Sequence, residues 1–316
     1  MQTYPVFHAE ELDVSRIAYG CMRLAATDQT GADAAIQAAL DANINFFDHA
    51  DIYGRGQSET LFGNFLARHS QLREHLVIQT KCGIRYADEP EAGLPKRYDL
   101  SYDHIMWSVE QSLERLQTDY LDILMLHRPD PLMNPIAVGQ AFEELMHSGM
   151  VRHFAVSNFS AAQINLLQPF LPEHLLANQV ELSLANLYLL DEGVMFNRAD
   201  AASHLASGTL DFCRLNQIMI QAWSPLGGGK LVRGDLQNTP ALQAVGGVLA
   251  QLAAKHDTTP DAIALAWLLH HPAGIQPIIG TIHPARIASA AAADDLVLTH
   301  GEWYALYIAA RGSSMP

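Results

Sequence analysis

Four side chains that can carry charge or exchange a proton lie at or just after apolar segments of the sequence. Asp48 and Tyr53 stand five residues apart in Phe-Phe-Asp-His-Ala-Asp-Ile-Tyr-Gly, Lys81 ends Val-Ile-Gln-Thr-Lys, and His127 ends Ile-Leu-Met-Leu-His. Tyrosine is a poor acid near neutral pH, with an ordinary pKa of about 10, but a neighbouring ammonium group favours the phenolate and lowers that pKa. Lys81 is the expected neighbour, and Asp48 is expected to keep it charged and oriented. With His127 donating a hydrogen bond or relaying a proton, this set suits protonation of a carbonyl oxygen as a hydride reaches its carbon.

Each of these residues also has an ordinary structural interpretation. An Asp at a strand end often caps a loop, a Lys there can form a structural ion pair, and a His before Arg-Pro is often a core or loop residue. Their convergence favours the functional interpretation, because the carboxyl ends of barrel strands open onto one shared face. We therefore expect Asp48, Tyr53, Lys81 and His127 to form a catalytic site.

Short apolar segments alternate with amphipathic helical segments along nearly the whole chain. Strands are predicted at residues 16–20, 45–48, 77–81, 122–126, 153–157, 176–181, 218–222 and 276–279. Helices are predicted at residues 30–43, 58–68, 101–117, 136–148, 160–168, 205–214, 242–256, 259–270, 284–293 and 300–310, with Ser58 and Ser101 as helix caps. Parallel strands buried on both faces carry near-continuous apolar runs and need helical crossovers, so eight such units predict a (β/α)8 TIM barrel of the α/β class.

A single domain over residues 1–316 is expected, because α/β barrels commonly reach about 250 residues or more as one unit. A doubly wound sheet is the weaker alternative, since no G-x-G-x-x-G follows the first strand. Residues 82–99 contain several Gly and Pro residues, and they are predicted to form a long loop over the substrate end of the fold.

The composition limits the partners of this chain. Of its 316 residues, 49% are hydrophobic and 17% are charged, which predicts a compact core, and the net charge of −15 disfavours nucleic acid and anionic membranes. The N-terminus lacks a signal-peptide pattern and no apolar run reaches about 18 residues, so a cytoplasmic protein is expected. The widely spaced Cys21, Cys82 and Cys213 predict free thiols. No H-x-H or H-E-x-x-H motif appears, so no metal is expected.

A series of motifs extends the pattern beyond the four candidate residues. They are Phe-Asp-His-Ala-Asp-Ile-Tyr-Gly, Thr-Lys-Cys-Gly, Leu-Asp-Ile-Leu-Met-Leu-His-Arg-Pro-Asp, Gly-Met-Val-Arg-His-Phe-Ala-Val-Ser-Asn-Phe, Asn-Gln-Val-Glu, Ala-Trp-Ser-Pro-Leu-Gly-Gly-Gly and Pro-Ile-Ile-Gly-Thr. In this order, from about residue 16 to residue 293, the chain resembles the aldo-keto reductase family, in a bacterial branch with His-Arg-Pro-Asp-Pro after strand four. The resemblance implies an NADPH-dependent oxidoreductase that reduces an aldehyde or ketone to an alcohol. Tyr53 would be its general acid, assisted by Lys81 and Asp48, and His127 would orient the carbonyl.

The same resemblance implies which residues contact the cofactor. Ser157, Asn158 and Gln179 match residues that hold the nicotinamide carboxamide, and Trp223 matches the aromatic ring that stacks on the nicotinamide. The expected pyrophosphate loop and its phosphate partners are Ser224, Pro225, Leu226, Gly227, Gly228, Lys230 and Arg233. The remaining expected contacts are Met22 and, in the 2′-phosphate pocket, Gly280, Thr281, Ile282 and Arg286.

Two departures from the family pattern fall near the 2′-phosphate pocket. Gly280 stands where other members have Lys, and Ala290 stands where many have an Asn that contacts adenine. Arg286 can still bind a 2′-phosphate as a planar fork, so NADPH is expected in preference to NADH. The Gly-Gly-Gly-Lys run after Trp223 is not a P-loop, because Leu231 replaces the Ser or Thr that would hold magnesium.

Two alternatives remain open at this level. One is a regulatory subunit that binds NADP(H) and senses redox state with little turnover, and the complete set of four candidate residues argues against it. The other is an aldolase-type barrel in which Lys81 forms a Schiff base, although Trp223 would then have no role. A small-molecule carbonyl substrate is expected to contact residues 82–99, residues 182–198 and the C-terminal tail. No pattern in the sequence predicts an oligomeric state.

Overall fold

Eight parallel strands close into a barrel in the computed structural model of the chain, which describes residues 1–6, 8–195, 208–232 and 240–316. The strands in chain order are β1 (Thr3–Val6), β2 (Ala9–Ser15), β3 (Ala18–Gly20), β4 (Phe46–Asp48), β5 (Val77–Cys82), β6 (Ile84–Arg85), β7 (Arg97–Tyr98), β8 (Leu121–Leu126), β9 (Val151–Ser157), β10 (Ala177–Glu181), β11 (Met219–Trp223) and β12 (Gln276–Ile279). Hydrogen bonds join β3, β4, β5, β8, β9, β10, β11 and β12 in that order, and β12 pairs with β3 to close the barrel. The predicted (β/α)8 TIM barrel is confirmed.

Helices connect the barrel strands and surround them. They are α1 (Gln29–Asp41), α2 (Gln57–Arg68), α3 (Tyr102–Leu116), α4 (Pro135–His147), α5 (Ala161–Leu167), α6 (Tyr188–Met195), α7 (Thr209–Leu215), α8 (Pro240–Lys255), α9 (Pro260–Leu269), α10 (Pro284–Ala291) and α11 (His300–Arg311). The side chain of Ser101 accepts a hydrogen bond from the amide of His104, so its predicted role as the cap of α3 is confirmed. Thr299 and Glu302 form a reciprocal capping box at the start of α11.

Ser58 does not cap a helix, so that prediction is wrong. Helix α2 begins one residue earlier, at Gln57, after Gly56 with a left-handed φ of 85°, and no side chain caps it. The hydroxyl of Ser58 instead donates to the carbonyl of Met22 and accepts from the amide of Ala25, each at 3.3 Å. Ser58 therefore ties the start of α2 to the turn that follows β3.

An antiparallel hairpin of β1 and β2, outside the predicted elements, lies at the amino-terminal end of the barrel. Its buried Val6, Leu12 and Val14 belong to one apolar cluster with Phe46 and Val77, the first residues of β4 and β5. Burying these side chains removes apolar surface from water at the barrel opening. The hairpin therefore closes the end of the barrel opposite the strand ends that carry the candidate residues.

The predicted loop at residues 82–99 contains a second hairpin, in which β6 and β7 pair with Ile84 opposite Tyr98. Helix α6 lies in the predicted substrate segment 182–198, of which residues 196–198 lie outside the described residues. The helix predicted at 205–214 begins at Thr209, after residues 205–207 that also lie outside them. Cys21, Cys82 and Cys213 are buried and free, as predicted. Within the described ranges, no helix has the length and apolar character needed to cross a membrane.

Candidate active site

The carboxyl ends of β4, β5 and β8 meet at one end of the barrel. Asp48 is the last residue of β4, Lys81 lies one residue before the end of β5, and His127 follows directly after β8. Hydrogen bonding continues beyond the strands, because the amide of His127 donates to the carbonyl of Cys82 at 2.9 Å. The barrel itself therefore fixes the backbone that carries these side chains.

Lys81 joins Asp48 and Tyr53 in a buried polar cluster. Its ammonium nitrogen lies 2.7 Å from each carboxylate oxygen of Asp48, 2.8 Å from the carbonyl oxygen of His49 and 3.2 Å from the hydroxyl of Tyr53. Lys81 is 0% exposed and Asp48 is 2% exposed. Burying a charged group is costly unless the charge is paired and hydrogen-bonded. The short contacts meet both conditions.

The loop that carries Tyr53 is held from two sides. On one side, the amide of Asp51 donates to the carbonyl of Lys81 at 3.0 Å. On the other, the hydroxyl of Tyr86 donates to the carbonyl of Ile52. Tyr86 follows β6 directly, so the hairpin over the site is tied to the residue that precedes Tyr53.

Burial raises the pKa of Tyr53 above its ordinary value, and the ammonium of Lys81, which favours the phenolate, does not offset this effect. The prediction that Lys81 lowers the pKa of Tyr53 is therefore wrong in its net direction, because the sequence does not reveal how deeply the hydroxyl is buried. Burial also opposes the charged form of Lys81, but Asp48 and Tyr53 outweigh it and raise the pKa of Lys81. At neutral pH, Tyr53 is thus a protonated phenol beside an ammonium group.

The ring of His127 lies perpendicular to that of Tyr53, with centroids 6.0 Å apart and an interplanar angle of 87°. Burial lowers the pKa of His127 well below its ordinary value, and the positive charges of Lys81, Arg128 and Lys96 lower it further. The imidazole is therefore neutral at physiological pH. Its Nδ1 atom is buried and has no hydrogen-bond partner among the described residues. A neutral imidazole can donate one hydrogen bond, for example to a carbonyl oxygen.

Four buried glutamine side chains support Asp48 inside the barrel. Gln79 and Gln179 donate to Oδ1 of Asp48 at 2.6 Å and 3.0 Å. Both also donate to Gln221, at 3.0 Å and 3.1 Å, and Gln221 donates to Gln276 at 2.9 Å. Of these four residues, only Gln179 was predicted from the sequence, although each of the four strands carries one Gln. These amides orient the carboxylate that in turn holds Lys81.

A cavity of about 1160 Å³ opens beside Tyr53 and His127. The predicted site residues that line it are Met22, Asp48, Tyr53, His127, Ser157, Asn158, Gln179, Trp223, Ser224, Pro225, Leu226, Gly228, Gly280, Thr281, Ile282 and Arg286. Of the other predicted residues that the structure describes, Lys81, Gly227 and Lys230 do not line it. Arg233 lies outside the described residues. One surface thus brings together most of the predicted catalytic and cofactor residues.

Residues 82–99 form the part of the wall that lies over Tyr53. Four of them, Ile84, Tyr86, Lys96 and Tyr98, line the cavity. Among the described residues, none in 182–195 or 291–316 lines it. Of the segments predicted to contact a substrate, residues 82–99 are therefore the ones that the structure places at the site.

The predicted carboxamide residues are hydrogen-bonded to one another at the cavity wall. Nε1 of Trp223 donates to Oδ1 of Asn158 at 3.1 Å, and Nδ2 of Asn158 donates to the hydroxyl of Ser157 at 2.8 Å. The hydroxyl of Ser157 donates to the backbone carbonyl of Gln179 at 2.8 Å. This chain of contacts fixes an indole ring and several amide and hydroxyl groups on one wall.

The turn that follows β11 has an unusual backbone. Ser224, Gly227, Gly228 and Gly229 all have left-handed φ, at 52°, 58°, 69° and 95°. Three of these four positions are glycine, the residue that adopts this conformation without steric strain. Glycine-rich turns of this kind let backbone N–H groups approach an anionic ligand closely.

The charged groups along the cavity are mostly cations. They are Arg23, Lys96, Arg128 and Arg286. Of the two acids that line it, Asp48 is already paired with Lys81, which leaves Asp261. An excess of cations in a chain with a net charge of −15 suits a ligand that carries several negative charges. Together with the indole and amide groups, these cations fit a nicotinamide dinucleotide. Arg23 and Asp261 were not predicted from the sequence.

Known proteins resemble this chain over nearly its whole length. A family model described as the Aldo/keto reductase family matches residues 16–309. The uncharacterized oxidoreductase YcsN of Bacillus subtilis (strain 168) is 40% identical over 316 residues, which cover 98% of this chain and 98% of that protein. The 6-dehydroglucose reductase of Novosphingobium aromaticivorans is 38% identical over 311 residues, which cover 96% of this chain and 94% of that protein.

A solved structure supports the same assignment of fold. The crystal structure of an aldo/keto reductase from Klebsiella pneumoniae, in complex with NADP and acetate, superimposes with a TM-score of 0.73. The two sequences are 24% identical, and the alignment covers 96% of this chain and 93% of the other. The family match, the two relatives and the shared barrel agree with the resemblance found in the sequence. This chain belongs to the aldo/keto reductase family of oxidoreductases.

Proposed function

We propose that this protein uses NADPH to reduce an aldehyde or ketone to an alcohol, with Tyr53 as the general acid. The observation that carries the proposal is the 3.2 Å contact between the ammonium of Lys81 and the hydroxyl of Tyr53. This contact lies beside a large cavity in which cations outnumber acids. A buried phenol next to an ammonium group is suited to giving up a proton, because the charge left behind is stabilised.

When bound, the reduced nicotinamide supplies a hydride to the carbonyl carbon of the substrate. Tyr53 donates its proton to the carbonyl oxygen, so the C=O group gains one hydrogen at each atom and becomes an alcohol. Lys81 stabilises the phenolate that remains, and Asp48 holds the ammonium through two contacts of 2.7 Å. The neutral imidazole of His127 donates a hydrogen bond that orients the carbonyl oxygen.

The cofactor residues are proposed from the family resemblance, and their place on the cavity wall supports the proposal. Ser157, Asn158 and Gln179 are proposed to hold the nicotinamide carboxamide, and Trp223 is proposed to stack on the ring. The glycine-rich turn after β11 would receive the pyrophosphate. Arg286 would bind the 2′-phosphate as a fork, which favours NADPH over NADH.

For the substrate, we propose a hydroxylated aldehyde, such as an oxidised sugar. The wall around the site combines the rings of Tyr86 and Tyr98 with the donors Lys96 and Arg128, which suits hydroxyl groups on a partly apolar frame. A relative at 38% identity is named as a 6-dehydroglucose reductase. In a panel of carbonyl compounds, kcat/KM should be higher for hydroxylated aldehydes than for unsubstituted aldehydes of the same length. The opposite order would rule out this substrate class.

The substitution Tyr53→Phe tests the central role, because it removes the proton donor and keeps the ring. We expect carbonyl reduction to fall by about 100-fold or more, the range of general acid catalysis. Affinity for NADPH, measured by quenching of tryptophan fluorescence, should stay within about twofold of the wild-type value. Tyr102→Phe is the matched control, since it removes a hydroxyl that donates to Glu144 and does not line the cavity.

Three outcomes would count against the proposal in different ways. Unchanged turnover in Tyr53→Phe would refute the general acid. Tight NADPH binding by the wild-type protein without turnover of any carbonyl would favour a redox-sensing subunit. No binding of either NADPH or NADH would refute the assignment of the cofactor.

A further inference from the structure

Two cations, Arg128 and Lys96, line the cavity close to Tyr53 and His127. Arg128 follows His127 directly after β8, and its guanidinium carbon lies 5.7 Å from the centroid of the Trp223 ring. Lys96 directly precedes β7, in the hairpin that is tied to the loop of Tyr53. The charges of both residues contribute to the lowered pKa of His127, so both lie near its ring.

Neither cation has a counter-charge within the described ranges. No carboxylate there lies at ion-pair distance from Arg128 or Lys96. Arg128 is half-buried, whereas Lys96 is exposed. Removing a charge from water is costly unless an opposite charge and hydrogen bonds compensate for it, and a bound anion supplies both.

The acids nearest to these cations in the sequence are engaged elsewhere. Asp99 pairs with Arg85, with 2.5 Å between Nε and Oδ2. Asp130 accepts hydrogen bonds from the amides of Leu100 and Leu132, at 3.3 Å and 2.9 Å. Both carboxylates therefore hold the backbone or another arginine, and neither neutralises the cations of the cavity wall.

The cations of the cavity wall form two groups on different sides of the barrel. Arg286 lies on α10, after β12, and Arg23 donates to the carbonyl of Gly280 at the end of β12. Asp261 belongs to the same side, because it lies on α9, which packs against β12. In the closed barrel, β8 lies opposite β12. The other two cations are therefore on the side of β5 and β8, away from Asp261.

We propose that Arg128 binds a carboxylate of the substrate and that Lys96 attracts the same group to the site. This inference rests on the proposed function, because it narrows the hydroxylated aldehyde to one that also carries an acid group, such as a uronate. A guanidinium presents its donors in a planar fork that matches the two oxygens of a carboxylate. An exposed ammonium adds little affinity but attracts an anion over a longer range. The carboxylate takes no part in hydride or proton transfer, so the product is a hydroxy acid.

The first test compares each of two acids with its amide, which has nearly the same shape and no charge. The pairs are D-glucuronate with D-glucuronamide, which carry hydroxyl groups, and 4-formylbenzoate with 4-formylbenzamide, which cannot close into cyclic hemiacetals. With NADPH at about pH 7, where the carboxyl groups are ionised, kcat/KM should be about 10-fold or more higher for the acid in at least one pair. Equal values within both pairs, or higher values for the amides, would overturn the inference.

The substitution Arg128→Gln removes the charge and keeps an amide donor. We expect the acid-to-amide ratio of kcat/KM to fall to about 1, chiefly through a higher KM for the acid, and Arg128→Lys should retain part of the preference. Arg68→Gln is the control and should keep the wild-type ratio, because Arg68 pairs with Asp33 and does not line the cavity. Since Arg128 is next to His127, a purely structural role would lower kcat/KM equally for the acid and the amide. An unchanged ratio in Arg128→Gln would therefore overturn the inference.

The role of Lys96 is tested by ionic strength. Raising the salt concentration from about 0.01 M to about 0.15 M should lower the acid-to-amide ratio of the wild-type protein, because salt screens exposed charges. The ratio in Lys96→Gln should be about 2-fold to 5-fold lower than in the wild-type protein at low salt and should depend less on salt. The same salt dependence in both proteins would refute the attraction by Lys96. Turnover of aldehydes without any preference for acids would overturn this inference alone, whereas no turnover of any aldehyde would overturn the proposed function as well.

Discussion

Two opposing effects act on the pKa of the Tyr53 hydroxyl, the proton donor of the proposed mechanism. Burial favours the neutral phenol, whereas Lys81 favours the phenolate, and burial prevails in the absence of a substrate. Tyr53 is therefore protonated at neutral pH. In the proposed mechanism, reduction of the carbonyl requires this protonated form, and oxidation of the alcohol requires the phenolate.

The raised pKa of Tyr53 predicts how the rates depend on pH. In kcat/KM profiles, carbonyl reduction should be nearly constant from about pH 6 to about pH 9 and should fall only above about pH 10, where the phenol loses its proton. The kcat/KM of alcohol oxidation, which uses the phenolate, should increase with pH from about pH 6 to about pH 9. The lowered pKa of His127 predicts no loss of reduction near its ordinary pKa of about 6.5. A decline of reduction between pH 7 and pH 9, or an acid limb near pH 6.5, would contradict this account.

The position of Asp48, Tyr53, Lys81 and His127 at one site was predicted from the sequence, because the carboxyl ends of all barrel strands lie at the same end of the barrel. The direction of the pKa shift at Tyr53 was not predicted, since burial depends on residues far away in the chain. The position of Arg23 on the cavity wall was not predicted for a similar reason. Its partner Gly280 is distant in sequence, and a single Arg after a short strand carries no periodic signal.

At the scale of the strand, the glutamine layer explains how Asp48 keeps its orientation. The amides of Gln79 and Gln179 share Oδ1 of Asp48, and Gln221 links both of them to Gln276. Each amide is buried, so its partners come from the other strands. Removing one member leaves buried donors without acceptors.

The substitution Gln221→Leu should lower the free energy of unfolding by about 1–3 kcal/mol, because Gln79 and Gln179 each lose a buried acceptor. It should also reduce turnover more than NADPH affinity, since Asp48 and Lys81 would lose part of their support. Chemical denaturation and steady-state kinetics measure the two effects. Gln37→Leu, on the exposed face of α1, is the control and should change stability by less than about 0.5 kcal/mol. Equal effects of the two substitutions would show that the layer has no supporting role.

The barrel strands and helices were predicted well, and the two hairpins were not. The apolar strands that become β5 and β8 are long enough to be recognised from composition alone. In contrast, β6 and β7 have two residues each and exist because they pair with each other across residues 86–96. The same applies to β1 and β2, whose burial depends on the barrel opening that they close. Such pairings depend on the folded chain and leave little local pattern.

At the scale of the whole molecule, an ion-pair network around the buried Asp122 joins several parts of the barrel. The carboxylate of Asp122 lies 2.9 Å from Arg73 and 3.2 Å from Arg152, and it accepts the amide of Ile78 at 2.9 Å. Both guanidinium groups pack on the ring of Tyr120, at 3.7 Å and 3.9 Å from its centroid. Asp122 therefore connects β5, β8 and β9 with the turn that precedes β5.

The substitution Asp122→Ala should destabilise the protein by about 3–5 kcal/mol, because it leaves the buried Arg73 without its counter-charge. Asp33→Ala, which breaks the exposed pair with Arg68, should cost about 1 kcal/mol or less. Urea unfolding of the two variants beside the wild-type protein measures the difference. A similar small effect for both would show that the Asp122 network contributes no more than a surface ion pair.

The central proposal is that a hydride from NADPH and the proton of Tyr53 convert a carbonyl group to an alcohol in this cavity. The most direct measurement uses NADPH that carries deuterium at the transferable position of the nicotinamide, together with an aldehyde substrate, in a single turnover. Mass spectrometry of the product should find one deuterium on the alcohol carbon with the wild-type protein and almost no product with Tyr53→Phe. An unlabelled alcohol, or equal product from both proteins, would contradict the account.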